Sequence, residues 1–307
     1  LRRYSIRAND SITIPQFLTN RFQSKNKGLQ IISAIVFVVV YCIYSASSIS
    51  ACGTLFNTVT GMSAKTAMII ATAIILVYVF LGGFNAVCWT DFFQGMLMLA
   101  ALMLTPILAL FVMKGADFVA PVMAVPENYY NALSGGGFNW KSVSDILSGL
   151  GWGLGYFGMP HILLRFMAIE DEKKLVLSRR IASVWVVIAM TASIVIGVVG
   201  LGMTKAGALE FLSGSSSETL IVRIASLIAQ HGVLAAVLAG LILAGILAAT
   251  MSTADSQMLA AASSVSQNIL QEFGHMKLTE KQSLFAARLT IICVSVVGVV
   301  LARDPDS

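Results

Sequence analysis

The chain has 307 residues, 57% of them hydrophobic and only 11% charged, with a formal net charge of +5. A soluble domain carries about a quarter charged residues, so this composition excludes an ordinary soluble globule and makes lipid the solvent to reason about. The four cysteines, Cys42, Cys52, Cys88 and Cys293, sit in or beside apolar runs without C-x-x-C spacing, which offers neither a disulfide framework nor a zinc site.

A spanning helix needs about 20 mostly apolar residues. Seven stretches qualify in chain order: roughly 29–56, 67–84, 92–113, 146–164, 181–203, 233–262 and 282–302. Five of them hold no Asp, Glu, Lys or Arg; the sixth holds only Asp255 and the seventh only Arg288, close enough to its end to snorkel to the headgroups. With a cytoplasmic N-terminus, alternation of sides puts fourteen Lys and Arg residues inside and six outside, the asymmetry of the positive-inside rule. Lys65, Asn128 and Ser215 then face outside, and Arg21, Lys173 and Lys277 face the cytoplasm. This topology accounts for the basic balance without nucleic acid.

Two connections, Lys114–Lys141 and Thr204–Arg223, are long and read as ordered loops with short surface helices. From Ile224 to Gln271 the only charged residue is Asp255. As one helix that run would measure about 72 Å, over twice the ~30 Å hydrocarbon core, so a break is expected near His231-Gly232. The sequence starts at Leu1 without a cleavable signal pattern and stops just past its last apolar run. We expect a piece of a longer protein.

The fourth stretch contains GWGLGYFGMPH, Gly151 to His161. Glycine costs a helix interior about 1 kcal/mol relative to alanine, and proline about 3 kcal/mol. Four glycines and Pro160 within eleven residues predict an interruption between about Gly151 and Gly158. A helix opens inside a membrane only where its freed backbone faces protein or water, and transporters use such breaks to bind ions and anionic groups. Gly153 and Gly155 would admit a ligand closely, and Trp152 and Tyr156, four apart, would wall it from the protein interior. Pro160 would deprive the Tyr156 carbonyl of its donor. Close helix packing through small residues is the alternative. His161 reads as a hydrogen-bonded helix member rather than a metal ligand.

Ala249, Ser252, Thr253 and Ser256 follow i, i+3, i+4, i+7 spacing, one helix face. Two hydroxyls and a carbonyl suit sodium, a hard cation; ordinary Ser/Thr bonding to the preceding turn suits the spacing equally. Asp91 reads most simply as a helix N-cap or a partner of the helix dipole. Asp255 is either functional, as an acidic residue within a membrane helix is by default, or solvated where its helix projects into the cytoplasm.

GWGLGYFGMPHILLRFMA (151–168) resembles the corresponding helix of the sodium/solute symporter family, and leans towards its proline branch. TIPQFLTNRF (13–22), LGGFNAVCWTDFFQ (81–94) and LAGLILAGILAATMSTADSQ (238–257) resemble other signature segments of that family, so the likeness runs essentially from end to end. The resemblance implies an all-α membrane fold, the inverted five-helix repeat of the leucine transporter. The seven stretches would be core helices three to nine, an incomplete set within a single transmembrane domain. It implies no enzyme, sodium as the coupling ion, a bacterial cytoplasmic membrane, and symport of a small amino acid, L-proline foremost, by alternating access.

Residue by residue, the resemblance assigns the Ala249 carbonyl and the Ser252 and Thr253 hydroxyls to the main sodium site. It brings Asp91, and with it Asp255 and Ser256, to a second, inner site. Trp152, Tyr156 and Pro160, with Gly153 and Gly155, go to the substrate, and Tyr78 matches an aromatic near the same pocket. Met159 stands where a glutamine is usual, which leaves the substrate's identity open. The substrate carboxylate would suit a half-helix N-terminus. A sensory module of the same family, fused to a signalling domain, is the rival reading. An intramembrane enzyme finds no H-E-x-x-H, G-x-S-x-G or paired-carboxylate motif in support.

Overall fold

The computed structural model describes residues 1–24, 28–113, 138–156, 158–274 and 276–302. Lys114–Gly137, Asn128 included, lies outside them, as do Lys25, Lys27 and Arg303. Two short helices, α1 (Arg2–Arg7) and α2 (Ile14–Arg21), lead into α3 (Gly28–Thr60) and α4 (Ala64–Val112). Then come α5 (Trp140–Tyr156), α6 (Pro160–Ala168) and α7 (Lys174–Lys205). A 3-10 turn (Gly214–Thr219) precedes α8 (Leu220–Ala229), and α9 (Val233–Ser263) passes into a π-helical segment (Ser264–Phe273) before α10 (Glu280–Leu301). Among the described residues, five helices are long and apolar enough to cross a membrane.

Caps follow the sequence closely. Thr13 accepts the Gln16 amide, Ser63 accepts the Thr66 amide, and Thr279 and Gln282 form a reciprocal capping box, each satisfying donors that a helix start leaves orphaned. The chain breaks at Gly232, whose φ of +108° is open to glycine alone. This is where the overlong apolar run had to turn.

α4 departs from expectation. Its 49 residues contain two of the predicted stretches, and the residues read as their connection, 85–91, are helical. A single residue makes the turn: Gly83, with φ 56° and ψ −146°, a region essentially reserved for glycine. The change of direction is large, because the Tyr78 and Asp91 side chains reach the adjacent Asp255 and Ser256, whereas thirteen residues of straight helix would part them by about 20 Å.

α9 is the centre of the packing. One cluster joins it, through Met258, to Tyr41 and Ile49 of α3, Ile75 of α4 and Ile291 of α10. A second joins it, through Ile242, to Ala109 of α4, Met203 of α7 and Ile228 of α8. Outward-facing Ile181, Val184, Val187 and Ile194 on α7 are all exposed, a surface that would be costly in water and is matched to acyl chains.

Candidate functional site

The middle of α9 carries the predicted polar face. The Ala249 carbonyl accepts both hydroxyls, Ser252 Oγ at 3.1 Å and Thr253 Oγ1 at 2.9 Å. Three oxygens therefore converge within one turn, with Thr253 exposed and Ser252 half-buried. Each hydroxyl spends its one hydrogen on the carbonyl and keeps its lone pairs for another partner.

One turn further the arrangement is buried and charged. Asp255 is 0% exposed, which excludes the solvated cytoplasmic position. Tyr78 Oη donates to Asp255 Oδ2 at 2.6 Å, and Ser256 Oγ lies 3.2 Å from Asp255 Oδ1. Ser256 Oγ is also 3.3 Å from Asp91 Oδ2, and it accepts Arg165 Nη2 at 2.7 Å. Ser256 has one hydrogen to offer two carboxylates. Arg165 closes the cluster as the ion-pair partner of Asp91. Asp91 does not cap a helix: it lies eight residues past the Gly83 break, inside the second limb of α4.

The balance of groups is uneven. Of the two carboxylates only Asp91 is paired with a guanidinium, and among the described residues both Asp91 Oδ1 and Gln94 Oε1 are buried acceptors without a hydrogen-bond partner. Buried acceptors left unpaired are costly, and an oxygen-rich cluster whose carboxylates outnumber its guanidinium is what a hard cation takes. The oxygens come from α9 and from both limbs of α4. The fold-back at Gly83 brings Tyr78, from before the turn, and Asp91 and Gln94, from after it, to one place. Tyr78 thus joins this inner cluster.

The interrupted helix is present, with two differences from expectation. Gly151, Gly153 and Gly155 remain helical in α5, and the break falls after Tyr156, with α6 starting at Pro160. Proline is well placed there, since the first helical residue's N–H has no partner to lose. Trp152 is 68% exposed and Tyr156 56%, and a Cβ added at Gly153 or Gly155 would meet nothing within 4 Å. The two aromatics therefore do not face the interior of the described chain; only Ser142 of α5 is buried. Helical spacing puts them on one face but cannot say what that face meets.

The break also frees less backbone than Pro160 suggested. The Tyr156 carbonyl accepts the Met159 amide at 3.4 Å, and the Gly155 carbonyl accepts the Gly158 amide at 3.0 Å. At the start of α6, Ile162 and Leu163 donate to Met159 O, and the His161 amide donates to Tyr41 Oη at 2.9 Å. The Tyr41 phenol, 2% exposed, is thus the cap of α6, and no amide of residues 158–163 is left for a carboxylate. His161 also faces Tyr41 through its ring, Nδ1 to Oη at 3.4 Å, a hydrogen-bonded helix member as read.

Two residues were missed. Arg165 carried a weak signal, as a charge immediately after the interrupted apolar stretch. Tyr41 carried none. Arg288 was noticed but misdirected: its Nη2 donates inward to the Phe80 carbonyl at 2.8 Å, and no snorkelling occurs. All four cysteines are free. A cavity of about 640 Å³ reaches the cluster at Ser256 and Arg165 and is lined by Arg2 and Asp10 of the N-terminal segment and Lys281 of α10. Segments assigned to one side of the membrane converge there, and Arg3 pairs with Glu172 beside it.

The sequence pattern of the sodium:solute symporter family matches residues 2–307. The high-affinity proline transporter PutP of Bacillus subtilis is 36% identical over 100% of the chain and 62% of the relative. The osmoregulated proline transporter OpuE of the same organism is 37% identical over 100% of the chain and 60% of the relative. The sodium/proline symporter of Escherichia coli is 33% identical over 100% and 60%. The chain spans about three fifths of the length of these relatives. Among solved structures, a Na+-coupled sialic acid symporter matches with a TM-score of 0.72 at 16% identity, covering 89% of the chain and 58% of that structure. The expected leucine-transporter-like fold is borne out by that likeness.

Proposed function

The chain belongs to the sodium:solute symporter family, and on that premise we propose that the full-length protein is a sodium-coupled secondary transporter of a small amino acid, with L-proline the first candidate. It works by alternating access in a bacterial cytoplasmic membrane, with Leu1 on the cytoplasmic side. The names of the proline-transporting relatives support the substrate. The departure at Met159 argues for testing it against other small amino acids.

One observation carries the cation reading: oxygens converge along a single face of α9, with the orphaned Asp91 Oδ1 and Gln94 Oε1 beside it. Ala249 O, Ser252 Oγ and Thr253 Oγ1 supply part of the main sodium site. Asp91, Asp255 and Ser256 supply the inner one, where Tyr78 holds one carboxylate in place. An entering cation gives the unpaired oxygens a partner and loosens the hold of Arg165 on Asp91, so that ion occupancy and helix positions are linked. Trp152, Tyr156, Gly153, Gly155 and Pro160 present the substrate surface. Because Tyr41 occupies the start of α6, the substrate carboxylate takes its donors elsewhere than the 158–163 amides.

Uptake of labelled proline by the full-length protein, with and without a sodium gradient and with unlabelled amino acids as competitors, tests this reading. Uptake that ignores the sodium gradient overturns it.

A further inference from the structure

Gly83 folds α4 back in a single residue. A helix that ends this abruptly leaves carbonyls of its last turn without donors. The Phe80 carbonyl would ordinarily accept the Phe84 amide, and that amide lies beyond the turn. Arg288 of α10 takes its place: Nη2 donates to Phe80 O at 2.8 Å, and the guanidinium stands 5.6 Å from the centre of the Phe80 ring. A planar cation is held there by a carbonyl and an aromatic face together. Among the described residues Arg288 forms no ion pair.

Two residues before Phe80 stands Tyr78, whose hydroxyl reaches Asp255 at 2.6 Å. Eight residues after Gly83 stands Asp91. The geometry of this one turn therefore sets how the two limbs of α4 meet α9, and Arg288 is the group that fastens it.

We propose that Arg288 is a positioning residue for the cation site: by capping the carbonyl freed at Gly83, it fixes the fold-back that lays Tyr78 and Asp91 against Asp255 and Ser256. The inference rests on the cation reading above. Arg288 touches neither ion nor substrate, and its effect reaches the ion through Tyr78 and the second limb of α4. Loss of such an outer partner typically costs a metal site about tenfold or more in affinity.

The test uses the full-length protein with Arg288→Gln, Arg288→Lys and Asp91→Asn, measuring the sodium concentration for half-maximal uptake and the substrate KM at saturating sodium. Arg288→Gln is expected to raise the sodium requirement about tenfold while leaving the substrate KM unchanged. Arg288→Lys, which keeps charge and a donor, restores most of the loss. A role in folding alone would reduce the amount of transporter and leave both constants alone. If Arg288→Gln does not accumulate, Arg288→Lys carries the test by a smaller rise in the sodium requirement at unchanged KM. A shift with Asp91→Asn but with neither Arg288 variant overturns the positioning role and spares the cation reading. No shift with Asp91→Asn overturns the cation reading and the proposal with it.

Discussion

Removing one hydroxyl from the α9 face is the sharpest perturbation of the cation site. Among the described residues Ser252 Oγ and Thr253 Oγ1 each bond only to Ala249 O, at 3.1 and 2.9 Å, so an alanine at either position strands no other described side chain. The cost falls on whatever the lone pairs hold. A hydrogen bond or ligand of this kind to a charged group is worth about 1.5–3 kcal/mol, and each 1.4 kcal/mol is tenfold in affinity. Ser252→Ala or Thr253→Ala should therefore raise the sodium concentration for half-maximal uptake roughly tenfold to a hundredfold. Substrate affinity at saturating sodium should change much less. Asp255→Ser should matter less than either, since it keeps an oxygen at that position and leaves the Ala249, Ser252 and Thr253 oxygens in place, although it removes the carboxylate that Tyr78 Oη donates to. Uptake by the full-length protein, measured against sodium concentration for the three variants, gives the ordering. Unchanged sodium dependence in both alanine variants, together with its abolition in Asp255→Ser, would place the cation elsewhere and refute the assignment of this face.

Tyr41→Phe should strand the His161 amide at the start of α6, a loss of about 1–3 kcal/mol. It should lower the melting temperature of the purified transporter by a few degrees, whereas His161→Ala, which keeps the capped amide, should lower it less; equal melting of both variants and the parent would remove the cap. Tyr156→Ala should raise the substrate KM far more than the sodium requirement, and a change confined to sodium would take Tyr156 out of the substrate surface. In a cysteine-free background, Lys65→Cys should react with an impermeant thiol reagent added to intact cells while Lys173→Cys stays unlabelled; labelling of Lys173→Cys from outside would reverse the orientation.

Much of this arrangement was legible because membrane helices obey a strict local rule. A backbone in lipid must satisfy its own hydrogen bonds, so apolar length marks the helices, and Gly232 and Pro160 mark where they stop. The α9 face was legible for a related reason: i, i+3, i+4 spacing alone puts Ala249, Ser252 and Thr253 together, and no other element is needed. The inner cluster was only half legible. Its members were named, but Asp91 and Asp255 are 164 positions apart in the sequence, and nothing local says that Ser256 lies between their carboxylates or that Arg165 pairs with Asp91.

Sequence by itself determined the solvent of this protein, its helices, the break at Gly232 and the polar face of α9, because each follows from hydropathy or from the conformational limits of a few neighbouring residues. Tertiary structure decided the rest. It turned Arg288 inward to Phe80, gave the start of α6 to Tyr41, buried Asp255 against Tyr78, and left Trp152 and Tyr156 exposed. Each of these depends on which group another helix brings within about 3 Å. Helical periodicity fixes the face a side chain occupies and is silent about the partner that face will meet.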